Sequence, residues 1–295
     1  MKIKKILTGF IPEARGRDGL LLAVLLARQS GAELTVATIQ PPPWPTPGPG
    51  RADEGAWRAY LREQAEDSLS EAREIAGPDA SYVVHHNKGS GRGLVDLARR
   101  QGADLVVIGS APHGTKGRIA LGSTADQLLH ASSVPVLLAP RGWGETAPAA
   151  FERLTVAYRR GPGCDEATRL AAKAAAQLGV SMRLVTLLIQ GGLIRGGNAE
   201  LETAMVERLR DQADSDLRSA ARGQRRRIEV EVEMAEGRTV KEAIDSVAWV
   251  DGEMIICASS DSGPLRRVFL GDTSLKIIKA AQRPAMILTR QPGKQ

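Results

Sequence analysis

Aromatic residues are scarce in this chain: phenylalanine, tryptophan and tyrosine together make up 3% of its 295 residues. Platforms for single-stranded nucleic acid stack bases on exposed rings, so so few rings argue against that task. Cysteine is rarer, with only Cys164 and Cys257 and no CxxC pair. Both read as unbridged thiols of a reducing compartment, Cys257 inside an apolar strand and Cys164 in an open Gly-Pro-Gly loop. The four histidines, His85, His86, His113 and His130, show no zinc spacing, and the adjacent His85 and His86 would point to opposite faces of a strand. No apolar run approaches a membrane span, and Met1 to Phe10 has no stretch long enough for a signal peptide, so the cytoplasm is the default location. A Walker-type Gly-Lys-Ser is missing, and no Gly-x-Ser-x-Gly follows a strand. Gly89-Ser90-Gly91-Arg92-Gly93 lacks dinucleotide spacing and reads as a helix entry. With no acid–base constellation in sight, the chain reads as a protein that is not an enzyme.

What is present is ordinary for a globular protein: 42% hydrophobic and 25% charged residues. The length suits two domains, each with its own core. The net charge of +6 is a mild bias, and the run Arg225-Arg226-Arg227 reads as a solvated helix end. Nucleic acid is therefore an unlikely partner and a membrane is none.

The chain is organised around Leu105 to Pro140. Leu105 to Ile108 is an apolar run suited to a strand covered on both faces. A loop with Gly109, Gly114, Gly117 and Gly122 follows, and Gly122-Ser123-Thr124 leads into a helical run with Ala125, Leu128 and Leu129. A glycine-rich turn feeding a helix N-terminus presents free amides and the positive end of the helix dipole, a place for an anion and most often a phosphate. The pattern returns from Met254 to Arg290, where Leu270-Gly271-Asp272-Thr273 answers Leu121-Gly122-Ser123-Thr124, and Arg153-Leu154-Thr155-Val156 answers Lys5-Ile6-Leu7-Thr8. A period of half the chain means two similar domains, 1–141 and 152–295, joined by a linker at 142–151 that shows no periodicity.

In order, the first half reads as strand Lys4 to Phe10, helix Asp18 to Gln29 with Asp18 as N-cap, and strand Glu33 to Ile39. A proline-rich excursion from Pro41 to Gly50 precedes a long helix, Asp53 to Ala76. Strand Ser81 to His86, helix Leu94 to Gln101, the central strand and loop, and strand Val136 to Leu138 complete it. The second half repeats this with strand Arg153 to Tyr158, helix Asp165 to Leu178, strand Met182 to Leu188, a glycine loop Gly191 to Gly197 and helix Leu201 to Arg222. Ile228 to Met234 reads as a strand near an edge, followed by helix Val240 to Trp249, strand Met254 to Cys257, helix Ser274 to Ala281 and strand Ala285 to Leu288. Alternating strands and helices give a parallel, doubly wound sheet, with ligands beyond its C-terminal strand ends where the winding reverses.

The two half-chains, the loop Gly109 to Ser123 and the closing Val134-Pro135 and Arg283-Pro284 strands resemble the universal stress protein family in its tandem form. The resemblance implies an α/β, Rossmann-like (adenine-nucleotide α-hydrolase-like) domain of five parallel strands in each half. It also implies intramolecular pairing of Val136 to Leu138 with Ala285 to Leu288, which would cap two open edges. Assembly into a homodimer stays open. Nucleotide-binding members carry Gly, two residues, Gly, nine residues, then Gly-Ser or Gly-Thr. Here Gly109 matches the first glycine, Pro112 stands in place of the second, and Gly122-Ser123 matches the last pair. Pro112 has no N–H for a phosphate oxygen, and Gly114, two residues on, is the substitute donor. The site implied is Gly109, Ser110, His113, Gly114, Gly122, Ser123 and Thr124, with Lys116 and Arg118 as further positive charge. ATP or another adenine nucleotide is the implied ligand, with magnesium only in ATP's company. The Asp that such members keep after the first strand is Ile11 here and Arg159 in the second half. That second half has Ala258, Asp261 and Asp272 at the loop positions, with Arg266, Arg267 and Thr273 nearby, and reads as structural or as holding a different ligand. Three functions follow: a stress-response regulator that binds nucleotide in its first half, a nucleotide-independent interaction module, and a weak ATP hydrolase or phosphotransferase.

Overall fold

The computed structural model describes residues 1–42, 51–190, 199–258 and 272–289. Most of the proline-rich excursion, the glycine loop 191–197, and Asp261, Arg266, Arg267 and Gly271 lie outside the described residues. The first half contains β1 (Lys5–Gly9), α1 (Ala14–Ser30), β2 (Glu33–Gln40), α2 (Arg51–Ala76), β3 (Ser81–His86), α3 (Ser90–Gln101), β4 (Leu105–Gly109), α4 (Ser123–Ala131) and β5 (Val136–Ala139). The second contains β6 (Arg153–Ala157), α5 (Pro162–Leu178), β7 (Ser181–Ile189), α6 (Ala199–Arg222), β8 (Val230–Gly237), α7 (Val240–Asp245), β9 (Glu253–Ala258), α8 (Asp272–Ala280) and β10 (Ala285–Leu288). The repeat shows in detail: α1 and α5 both end at a glycine in the left-handed region, Gly31 (φ 68°) and Gly179 (φ 69°). Those caps return an amide to the carbonyls of Ala27 and Ala175.

Each half is a five-stranded parallel sheet, and the two are one: the strand order is β3-β2-β1-β4-β5-β10-β9-β6-β7-β8. Every pairing is parallel except β5 with β10, which run antiparallel with Ala285 opposite Leu138, Met286 opposite Leu137 and Ile287 opposite Val136. Both strands are buried along their whole length, so the edge that either half alone would expose is consumed inside the chain. One face of the sheet packs on α1 and α5 through residues such as Leu22, Leu26, Ala171 and Ala175. The other packs on α3, α4 and α8 through Leu94, Leu128, Ile277 and Ile278.

Several sequence expectations change. Asp18 is no N-cap: α1 begins a turn earlier with Glu13 as N-cap. Asp18 instead turns, buried, toward the connector and accepts the amides of Gly142 (2.7 Å) and Gly144 (2.8 Å). That connector is packed, not loose. It carries a short 3₁₀ turn, Trp143–Glu145, with Trp143 buried, and the Phe151 amide donates to Gln29 of α1 at 2.7 Å. Cys164 lies in the first turn of α5, half-buried, because Pro162 starts that helix early. The helix expected from Val240 to Trp249 ends at Asp245, where the Trp249 indole folds back to donate to the Ile244 carbonyl at 2.8 Å. β8 starts at Val230 and runs on to Gly237, and it is the outer strand, as its alternating pattern suggests. Arg225, Arg226 and Arg227 are all exposed. Among the described residues no helix is long and apolar enough to cross a membrane, and no cluster of His, Cys, Asp or Glu could hold a metal.

The shortened α7 leaves a different interior in the second half. Twelve-residue α3 lays Leu97 and Ala98 over the first sheet; six-residue α7 cannot reach as far. Its place is filled by ions. Glu253, fully buried, accepts from Arg183 Nη2 (2.6 Å), Arg153 Nε (3.1 Å) and Nη2 (3.0 Å), the Thr155 hydroxyl and the Val250 amide (3.0 Å). Arg183, itself buried, also meets Glu233 at 2.6 Å and lies over the Trp249 ring at 5.1 Å. Removing one member of such a cluster strands the others without water. Glu253→Leu is expected to destabilise the protein by about 3–5 kcal/mol, read as a lowered midpoint in urea; a loss below about 1 kcal/mol would show that the two guanidiniums find water.

Candidate functional site

In the first half the winding reverses between β1 and β4, and a cleft of about 330 Å³ opens at their C-terminal ends. Glycine makes it. A Cβ on Gly109 would lie 1.8 Å from the Arg15 carbonyl oxygen, one on Gly16 would lie 2.0 Å from that of Ile11, and one on Gly19 would lie 2.7 Å from the Gly109 amide. Without those side chains the start of α1 settles directly onto the end of β4, and the β1–α1 turn folds beside the glycine loop.

Gly109, Ser110, His113, Gly122, Ser123 and Thr124 all line this cleft; Gly114 does not. Its amide is directed back to the Ala111 carbonyl at 3.3 Å, closing a turn around Pro112 and His113, so the substitute donor is spent within the loop. Ser110 is buried, and its hydroxyl accepts the Ala120 amide at 2.8 Å while the Ala111 amide reaches the Ala120 carbonyl at 2.8 Å. These bonds zip the loop's base shut. Gly122 is the extended N-cap of α4 and no side chain caps that helix, so helix geometry leaves the amides of Ser123, Thr124 and Ala125 without helical partners. The N-termini of α3, through Ser90, and of α1, through Arg15 and Gly16, reach the same cleft. Three positive dipole ends thus converge.

Sequence reasoning missed the other wall. Phe10, Ile39, Leu94 and Ile108 give the cleft an apolar side, with Ile11 and Pro112 beside it. Arg15 is half-exposed there and paired with Glu13 at 2.9 Å. No carboxylate lines the cleft among the described residues. The other two loop cations point elsewhere: Lys116 pairs with Glu145 of the connector, and Arg118 donates to the Ala280 carbonyl of α8 at 2.8 Å. The loop's outer arm is laced to the connector, with the Gly117 amide on the Arg141 carbonyl (2.8 Å), the Arg141 amide on the Arg118 carbonyl (3.0 Å) and Arg141 Nη1 on the Gly114 carbonyl (2.6 Å).

In the second half β6 and β9 take the places of β1 and β4. Ala157, Tyr158 and Arg159 follow Gly9, Phe10 and Ile11, while Cys164 replaces Gly16 and Cys257 replaces Ile108. A side chain therefore fills the position where Gly16 admits the β1–α1 turn. Thr273 is exposed in the first turn of α8.

Two copies of a doubly wound α/β unit fused edge to edge, the first with a cleft at its winding reversal, define a tandem protein of the crevice-binding α/β class. A model of the universal stress protein family matches residues 2–140 and again 150–289. Universal stress protein Rv2319c of Mycobacterium tuberculosis is 32% identical over 290 residues, 96% of this chain and 99% of that protein, and Mb2346c of Mycobacterium bovis matches equally. A solved universal stress protein from Archaeoglobus fulgidus shares the fold with a TM-score of 0.65 at 17% identity, covering 99% of this chain and all of its own. The chain belongs to the universal stress protein family, with two of its domains in tandem.

Two outcomes test this geometry. Gly109→Val is expected to cost about 2–4 kcal/mol, since overpacking against backbone cannot be relieved by a rotamer change, with a matching fall in the thermal midpoint; an unchanged midpoint would show that α1 is free to move off β4. Burial, helped by neighbouring Cys164, pushes the Cys257 thiol up to about 12. At pH 8 it is accordingly neutral, and iodoacetamide is expected to modify Cys257 only once denaturant unfolds the protein, read by peptide mass spectrometry.

Proposed function

We propose that this tandem universal stress protein is a cytoplasmic stress-response regulator that holds an adenine nucleotide, ATP in the first instance, in the cleft of its first half and does no strong chemistry on it. One observation carries the reading: a cleft without carboxylates among the described residues, in which three helix N-termini converge beside an apolar wall. The amides of Ser123 and Thr124 with their hydroxyls suit phosphate oxygens, His113 and Arg15 stand at the same lining, and Ile39 and Leu94 offer a flat base an apolar face. Its size lies near the lower end of the range of about 300–1,000 Å³ usual for small-molecule sites. Magnesium would arrive on the phosphates, since the lining offers it no carboxylate. A weak hydrolase or phosphotransferase draws no support from the same lining, where His113 is the single titratable base among the described residues. We take the two units as residues 1–141 and 152–295 joined by 142–151. Since β5 and β10 already pair, a homodimer would have to use another surface.

A second reading, a nucleotide-independent interaction module, is favoured by Pro112, by the Gly114 amide turned to Ala111, and by Ile11 where a carboxylate would meet adenosine. Equilibrium dialysis with labelled ATP separates the two. Wild type is expected to bind, and Gly122→Val to lose at least about tenfold in affinity, because a Cβ at Gly122 already sits 3.0 Å from that of Ala111 and the added methyls enter the cleft mouth. No binding by wild type at about 1 mM ATP would leave the interaction module.

A further inference from the structure

In the first half α1 packs against α2, with Ala72 buried and Arg17 bridging to Glu71 at 2.7 Å. Between the corresponding α5 and α6 there is instead a groove of about 560 Å³. The matching caps Gly31 and Gly179 set Thr168 and Arg169 where the first half has Leu20 and Leu21. On α6 the groove is lined by Gln212, Ser215, Asp216 and Ser219. That spacing presents one helical face, and on a face turned to another helix such positions are ordinarily apolar.

The groove's charges are unequally satisfied. Both carboxylates have partners: Asp165 accepts the Tyr158 hydroxyl at 2.9 Å, and Asp216 accepts Arg160 Nη1 at 3.1 Å and Gln212 Nε2 at 2.9 Å. Two guanidiniums lining it, Arg169 and Arg222, have no hydrogen bond or ion pair among the described residues. Beneath them Gln224, 8% exposed, keeps its side-chain carbonyl oxygen buried with no donor. A buried acceptor without a donor is costly, so it marks a place for one.

We propose that this groove is a second ligand site, distinct from the first-half cleft, for a small phosphate monoester that carries several hydroxyl groups. Guanidinium forks match phosphate oxygens bidentately, and Arg169 and Arg222 supply the two that are uncommitted. Ser215 and Ser219, one turn apart on α6, face the hydroxyl-bearing part, and Gln224 Oε1 accepts a hydroxyl hydrogen. A bare anion leaves that acceptor unmet, and a neutral polyol leaves the guanidiniums unmet.

Isothermal titration calorimetry on the full chain tests this with three probes: ribose 5-phosphate, ribose and inorganic phosphate. Ribose 5-phosphate is expected to saturate, ribose to give no heat, and inorganic phosphate to bind about tenfold more weakly. Arg169→Glu with Arg222→Glu, both exposed positions whose change leaves the fold intact by circular dichroism, is expected to weaken ribose 5-phosphate at least about tenfold. Ser219→Phe, which fills the groove without touching charge, should do the same. Gly122→Val should leave this binding unchanged, which separates the groove from the nucleotide cleft. Silence from wild type at about 10 mM, equal binding by the double variant, equal affinity for inorganic phosphate, or loss on Gly122→Val would each overturn the proposal.

Discussion

The antiparallel pairing of β5 with β10 is the contact on which the rest of the molecule depends. Each half is a parallel sheet with a short, wholly apolar last strand, an edge that would otherwise pair with another chain. Joining the two edges fuses the halves into one ten-stranded sheet with no separate hinge between them. It also sets the end of β5 beside the start of β10, with Leu138 opposite Ala285. The outer arm of the first-half loop is consequently near the second half, and Arg118 closes the gap by donating to the carbonyl of Ala280. The connector lies in the same region, held by Asp18 and Arg141. The candidate cleft is thus walled on its inner side by the glycine contacts of α1, while the outer arm of the loop that leads to it is tied to the joint between domains.

Duplication fixed the plan of strands and helices but left each half free to fill it differently. Lys5, Leu7, Thr35 and Asp104 of the first half correspond to Arg153, Thr155, Arg183 and Glu253 of the second. Together they became a connected polar cluster in which Glu253, Arg183 and the Thr155 hydroxyl are buried and Arg153 is half-buried, and the cause is visible in α7, which is half the length of α3. Apolar residues could have filled the same space at no loss of stability, because buried ion pairs seldom repay their desolvation. What the ions provide is a single arrangement: Glu253 has five donors in fixed directions, whereas an apolar filling admits several packings.

Much of this was legible in the sequence, for physical reasons that also mark where reading stops. Strands buried on both faces appear as apolar runs, so Leu105 to Ile108 and Met254 to Cys257 could be placed, and the repeat made each half a check on the other. The family resemblance supplied the five strands, the edge pairing and the loop. The direction of an amide is not written in a sequence: whether the Gly114 N–H faces the cleft or Ala111 depends on the turn that Pro112 sets. Partners remote along the chain are equally silent. Asp18 looks like a cap because Asp caps helices, and only the fold shows Gly142 and Gly144 arriving at its carboxylate. Phe10, Arg15, Ile39, Ser90 and Leu94 reach the cleft from the β1–α1 turn and three separate elements, α1, β2 and α3, and no local pattern links them.

The two halves have also diverged in what they offer a ligand. The first half keeps small residues where α1 meets β4, so its crevice stays open, and it keeps leucines on α1, with Leu20 buried in the core and Leu21 packed against it. In the second half both choices are reversed. Cys164 stands in Gly16's place at the crevice, and Thr168 and Arg169 stand in place of Leu20 and Leu21 at the seam. A side chain that blocks a crevice removes dipole-lined space; a polar pair in a helix seam creates space that apolar packing cannot claim. Both changes fall within two turns of a single helix, so a few substitutions in one element let a duplicated domain reshape its strand ends and its flank together.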